Sequence, residues 1–292
     1  MAGGTKTGIA ALTVLAMLAF AANSLLARLA LADGEASATG YTGIRLVAGA
    51  TMLGVLVGLG GRRKSEAGIA GSWAGALALC CYALAFSIAY LVVGAGTGAL
   101  ILFSSVQFGM LAWAVARGDR PGALEWLGMG VALAALALLV APGLVAPPPM
   151  GVALMVVAGL AWAAYSLIGR GSQAPLADTA GNFIRSVPVG LVLVAIGDLP
   201  HMSTAGLFYA VLSGAIASGL GYAIWYTALP HLTRSSAAFV QLTVPAIAAS
   251  GGVLLLGEPV TPRLLVASAG ILGGVALAVV TAERRRRVAA AP

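Results

Sequence analysis

The chain has 292 residues, of which 60% are hydrophobic and 9% charged, with a formal net charge of +7. A water-soluble domain carries roughly 25% charged residues, so water is not the main solvent of this fold. Two stretches, Ala67 to Ala116 and Trp126 to Gly169, contain no Asp, Glu, Lys or Arg, and each is long enough for two membrane spans of about 20 residues. The apolar segments lack the polar face of a soluble amphipathic helix, and they lack the alternation of a membrane-spanning strand.

Lys6 alone precedes the first apolar run, which begins at Gly8 and has no small-residue cleavage site standing clear of it, so this run is expected to remain as the first helix. Gly and Pro clusters with the sparse charges then mark segments near 8–31, 39–59, 69–92, 97–116 and 123–141. After Pro142 and Pro147-Pro148-Pro149 come segments near 150–169, 179–197, 205–229, 233–256 and 263–282. The spacing therefore predicts an all-α integral membrane protein with ten transmembrane helices.

The basic residues set the expected orientation, because Lys and Arg resist translocation. With the N-terminus in the cytoplasm, Lys6, Arg62, Arg63, Lys64, Arg117, Arg120, Arg170, Arg234 and Arg284 to Arg287 all fall on that side, twelve of the sixteen. Asp33, Glu35 and Asp198 fall on the other, with Arg263 and Arg28. Both termini are then cytoplasmic. Residues 283–292 read as a basic tail meeting anionic headgroups and not as a nucleic-acid contact. The adjacent Cys80 and Cys81 can neither staple distant segments nor supply a metal site.

An internal repeat appears in aligned residues. Ala19 to Arg28 matches Ala161 to Arg170 with six identities, Thr39 to Arg45 matches Thr179 to Arg185, both ending in Ile-Arg, and Gly118-Asp119 matches Gly257-Glu258. The units are 8–141 and 150–282. With five spans in each, the second copy enters the membrane inverted, the arrangement that gives alternating access around a central cavity.

Gly257-Glu258-Pro259 after a helix containing Pro245, followed by Gly270-Ile271-Leu272-Gly273-Gly274-Val275, resembles the EamA branch of the drug/metabolite transporter superfamily. The first copy shows a weaker version, with Val106 where the second has Pro245. The resemblance spans about residues 8–282 and is similar to the YddG-type exporters of aromatic and neutral amino acids. It implies export of small metabolites across a bacterial inner membrane. A nucleotide-sugar, organophosphate or drug carrier of the same superfamily is the alternative.

A solute route needs polar or aromatic groups facing the bundle interior, since such groups gain nothing facing lipid. Tyr82, Phe86 and Tyr90 share one face of the third segment, and Tyr222, Trp225 and Tyr226 one face of the eighth. Asn23 and Ser24 in the first, Ser104 and Gln107 in the fourth, Trp162 and Tyr165 in the sixth and Gln241 in the ninth could line the same space. Packing between helices explains such aromatics equally well.

Arg45 and Arg185, related by the repeat, lie about six residues inside their segments. Each could receive a substrate carboxylate or snorkel to headgroups. Pro188 and Pro245 are expected hinges or static kinks. Gly54 to Gly58, Gly71 to Gly75 and Gly270 to Gly274 read as close-packing seams. No carboxylate or imidazole is expected at mid-membrane, which favours a facilitator over a proton-coupled pump. No nucleophile with a base, metal cluster or cofactor-binding loop is evident, which disfavours an intramembrane enzyme. The expected partners are a small-molecule solute and the bilayer.

Overall fold

In lipid an unpartnered backbone N–H or C=O is costly, and a helix satisfies both within one segment. A computed structural model describes residues 6–59, 69–118, 120–141, 146–170, 172–197, 199–232 and 240–289, and among these there is no strand. They form ten helices: α1 (Lys6–Leu31), α2 (Ala38–Leu59), α3 (Trp73–Tyr90), α4 (Ala95–Ala116), α5 (Ala123–Val140), α6 (Pro149–Ile168), α7 (Pro175–Ala195), α8 (Thr204–His231), α9 (Thr243–Leu256) and α10 (Pro262–Ala289). Arg62, Arg63, Lys64, Asp119, Pro142, Asp198 and Arg234 lie outside the described residues, as do the side chains of Lys6, Arg286 and Arg287.

Eight of the helices are long and apolar enough to cross a membrane. The other two depart for different reasons. α9 has only 14 residues, while α7 spends Asp178, Asn182 and Arg185 on its first half. Within α8, residues Leu212–Leu220 wind as a π-helix, which the sequence did not announce. Unlike Pro188, which sits inside α7, Pro245 stands in the first turn of α9, where its missing N–H costs least.

The helices pack reciprocally. α2 lies on α7, α4 on α9 and α5 on α10; α3 meets α6 as α8 meets α1, and α4 meets α6 as α9 meets α1. Exchanging each helix of the first five for the one five places later interconverts these pairs. Two of these seams close on glycine. A Cβ on Gly43 would stand 2.5 Å from the Gly190 carbonyl oxygen, and Cβ atoms on Gly128 and Gly274 would each stand 2.5 Å from the other's carbonyl oxygen. Small residues allow this approach, which replaces the hydrophobic driving force that lipid withholds.

Of the expected glycine seams, Gly54 and Gly58 prove not to be one, since nothing lies within 4 Å of where their Cβ atoms would be. Their spacing places them on the outer face of α2. Gly75 packs instead against Asn182 of α7, and Gly270 against Ala135 of α5. The basic run at the end of α10 is also not wholly turned to headgroups: Arg285 donates to the buried Glu125 of α5, Nε to Oε1 at 2.6 Å and Nη2 to Oε2 at 3.3 Å. α10 continues as helix through Ala289.

Candidate functional site

A cavity of about 780 Å³ lies between the two halves of the bundle. Its deep wall is aromatic. Trp162 of α6 stacks on Tyr165 at 5.2 Å and on Tyr222 at 5.6 Å, and its ring lies 5.0 Å from Tyr82. Phe86 continues from Tyr82 at 5.4 Å, Tyr226 from Tyr222 at 6.2 Å, and Phe20 bridges Tyr222 to Trp225. The rings are held at ordinary offset and edge-on separations, so the wall is a packed surface offering π faces to a solute.

Polar groups punctuate this wall. Asn23 accepts on its Oδ1 from Ser213 at 2.8 Å and Ser218 at 3.3 Å, both on the π-helical stretch of α8. That arrangement leaves the amide N–H2 of Asn23 for the cavity it lines. On the opposite wall the Tyr165 hydroxyl donates to Thr179 at 3.3 Å, and Thr179 to Tyr226 at 3.4 Å. Gln107 and Gln241 add two further amides to the lining.

The repeat is visible in the wall itself. Phe20 and Trp162 occupy matched positions, and so do Asn23 and Tyr165; both pairs face the cavity. Tyr82 and Tyr222, and Phe86 and Tyr226, extend the match to α3 and α8.

Of the residues expected to line a route, Asn23, Ser24, Tyr82, Phe86, Gln107, Trp162, Tyr165, Tyr222, Trp225, Tyr226 and Gln241 stand in the lining of this cavity. Tyr90 and Ser104 do not. The fully buried Tyr90 ring packs edge-on to Phe86 and against Gly98, beyond the end of the cavity. Ser104 turns its hydroxyl back to the Leu100 carbonyl at 2.7 Å, the usual choice of serine within a helix. Phe20, Phe103, Asp178, Thr179 and Asn182 line the cavity without having been singled out. The match of Phe20 to Trp162 in the repeat was the available signal for one of them.

The cavity extends to one end of the bundle, where Ala114, Gly169, Arg170, Ser172, Pro175, Asp178, Leu232 and Glu283 surround it. Asp178 is held there, accepting from the Gly71 N–H at 2.9 Å and from the Ser172 hydroxyl. The other end is shut. Glu258 accepts from the N–H groups of Ala95 at 2.6 Å and Gly96 at 3.4 Å, at the positive end of α4. Arg28 of α1 stands 3.7 Å from the same carboxylate and donates to the Tyr90 carbonyl at 3.1 Å.

The two repeat-related arginines part company. Arg185 donates to the carbonyls of Ile69 at 2.7 Å, Gly181 at 3.2 Å and Ala70, tying α7 to the segment before α3. Arg45 is buried beside Tyr82 and Phe86 and does not reach an interface. Among the described residues no group of three or more metal-ligating side chains exists, and Cys80 and Cys81 are free.

The EamA-like transporter family matches residues 149–280, the second half of the bundle. Over 267 residues, 91% of this chain and 92% of the relative, the sequence is 52% identical to the uncharacterized protein PA1977 of Pseudomonas aeruginosa. It is 29% identical over 223 residues to the uncharacterized transporter YwfM of Bacillus subtilis, covering 74% of this chain and 75% of that one. The threonine/homoserine exporter RhtA of Escherichia coli is 32% identical over 146 residues, 47% of this chain and 48% of its own length. A solved crystal structure superposes with a TM-score of 0.68 at 18% identity, covering 96% of this chain and all of that one, which bears on the fold alone. With eight apolar spans among its described residues and its sequence relatives, the chain belongs to the EamA-like transporter family of the drug/metabolite transporter superfamily and is a multi-pass membrane transporter.

Proposed function

We propose that this transporter exports neutral and aromatic amino acids from the cytoplasm by alternating access, as a facilitator driven by the substrate gradient. The observation that carries the proposal is a cavity walled by stacked aromatic rings and neutral amides, open at one end and latched at the other by Arg28 and Glu258. An aromatic, hydrogen-bonding and uncharged wall suits an amphipathic zwitterion, whose apolar side chain gains by stacking while its polar end finds Asn23, Thr179 and the tyrosine hydroxyls. The similarity to RhtA, a threonine/homoserine exporter, supports the amino-acid class.

The units 8–141 and 150–282 act as inverted repeats, with both termini and the basic residues 283–292 in the cytoplasm of a bacterial inner membrane. Under that orientation the ends of α4, α6, α8 and α10 are cytoplasmic, so the open end faces the substrate to be exported. Facilitation fits the placement of the described carboxylates at helix ends, with Asp178 and Glu283 at the mouth of the cavity. Pro188 and Pro245, both in the second unit, serve as its hinges.

Proteoliposomes loaded with labelled amino acids, organic cations and sugar phosphates test the reading. The expected result is release of aromatic and neutral amino acids well above empty vesicles, without substrate-evoked proton flux. Release of sugar phosphates or organic cations alone would replace the amino-acid reading with the nucleotide-sugar, organophosphate or drug alternative.

A further inference from the structure

Among the described residues, two buried side-chain polar atoms make no hydrogen bond of ordinary geometry: Arg45 Nη1, and Tyr41 Oη, which stands near the Ser213 hydroxyl. They stand at i and i+4 of α2, hence on one face of one helix. Tyr41 is 0% exposed and Arg45 3%. Arg45 spends its other terminal nitrogen on the Tyr82 hydroxyl, 3.1 Å away. Its guanidinium carbon also lies 5.3 Å from the Tyr82 ring centre and 4.9 Å from that of Phe86. Aromatic faces attract a cation but accept no directed hydrogen bond, so the charge is solvated on one side only.

A guanidinium stays protonated in any protein environment, and burying it unpaired is among the costliest arrangements a fold can keep. The repeat supplies an internal comparison. Arg185, at the matched position, has backbone carbonyls for its N–H groups, so the position does not itself demand an unsatisfied arginine. The backbone around Arg45 is also fixed: a Cβ on Gly214 of the π-helical stretch would stand 2.3 Å from the Arg45 carbonyl oxygen, so α2 cannot slide there.

We infer that Arg45 Nη1 and Tyr41 Oη are the donors of a carboxylate subsite directly behind the cavity wall. The inference rests on the transporter reading of that cavity and names the part of the solute the site selects. A guanidinium presents two parallel N–H groups at the spacing of a carboxylate's oxygens, and the Tyr41 hydroxyl adds a third donor. Tyr82 and Phe86 line the cavity on one side and cover Arg45 on the other, so a rotation of the Tyr82 ring opens Arg45 to the cavity. An anion bound there replaces the Tyr82 hydroxyl as the partner of the cation. The solute's apolar body then remains among the aromatic rings. Selection falls on carboxylates with an apolar end, and their amides and esters are refused.

The test uses the full chain in detergent micelles, with phenylacetate and its neutral isostere phenylacetamide as probes and tryptophan fluorescence as the readout, since Trp162 lies against Tyr82. The expected result is saturable phenylacetate binding at least tenfold tighter than phenylacetamide. Arg45→Gln is expected to bring the two probes within twofold of each other. Tyr41→Phe is expected to weaken phenylacetate severalfold and leave the amide unchanged. Size-exclusion profiles check that the variants fold; if Arg45→Gln does not, Tyr41→Phe, which keeps the charge, carries the test. Absence of saturable phenylacetate binding, equal binding of both probes by the parent, or an anion preference that survives these substitutions overturns the inference and leaves Arg45 and Tyr41 solvated by internal water. The readout needs no flux, so a failure of amino-acid export in vesicles is distinguishable from a failure of this subsite.

Discussion

Arg28 of α1 and Glu258, just past α9, meet at 3.7 Å over the N-terminus of α4, at the end of the bundle away from the cavity mouth. The Glu258 carboxylate therefore joins three elements, and its bonds to backbone N–H groups are of the charge-assisted kind that contribute about 1.5–3 kcal/mol. Glu258→Gln is expected to weaken this closure and populate states open at that end. With Cys80 and Cys81 replaced by serine and a cysteine placed at the fully buried Ala27, labelling by a water-soluble maleimide should rise about fivefold in the variant. Unchanged labelling would separate the ion pair from closure.

Gly128→Ala and Gly274→Ala should each destabilise the α5–α10 seam by about 1–3 kcal/mol, because the added methyl meets a carbonyl oxygen of the facing helix. Gly54→Ala and Gly58→Ala, with open space around them, should be neutral or stabilising by roughly 0.5–1 kcal/mol through helix propensity. Thermal unfolding of the four variants in one detergent compares them directly. Equal losses at all four positions would contradict the packing described for α2.

Trp162→Ala removes a ring that touches three others, and a well-placed aromatic contact contributes roughly 0.5–1.5 kcal/mol beyond its area. Release of an aromatic amino acid by this variant is expected to fall about tenfold. Tyr90→Phe removes a hydroxyl that faces the Ala95 carbonyl at 3.4 Å and the Ser24 side chain and that lies outside the cavity, so its rate should stay within about twofold of the parent. Initial efflux rates at matched protein content decide between them.

Arg185→Gln breaks the staple from α7 to Ile69 and Ala70 and orphans their carbonyls, at an expected cost of about 1–3 kcal/mol in stability. Its solute preference should match the parent's. A lowered melting temperature with an unchanged substrate profile is the expected pair of results; a changed profile would place Arg185 in the solute path.

The ends of the helices were legible because lipid leaves few ways to encode them: Gly, Pro and charge punctuate an otherwise apolar text. The cavity wall was legible for the same reason, since an asparagine or glutamine in a span has few other uses. Tyr90 misled because spacing by four gives a face but not the depth at which a cavity stops. Ser104 misled because its hydroxyl has a partner within its own helix. Asp178, Thr179 and Asn182 were not singled out because the expected segment began only at 179, yet α7 begins at Pro175 inside the bundle mouth and carries them into the lining. Nothing in local composition distinguishes Arg45 from Arg185. Their difference arises from which neighbours the fold brings, aromatic rings in one case and loop carbonyls in the other.

The wide winding of Leu212–Leu220 sets the azimuth of everything after it in α8. Bonding from i to i+5 accommodates one residue more than ordinary α winding, so winding these same residues as plain α-helix would turn Tyr222, Trp225 and Tyr226 by about 100° relative to Thr204–Val211. Three of the rings that now face the solute would then face a neighbouring helix or the lipid. The same stretch grips Asn23 through Ser213 and Ser218 and abuts α2 at Arg45, so the heading of the aromatic wall and the seating of the buried cation are fixed by one irregular turn.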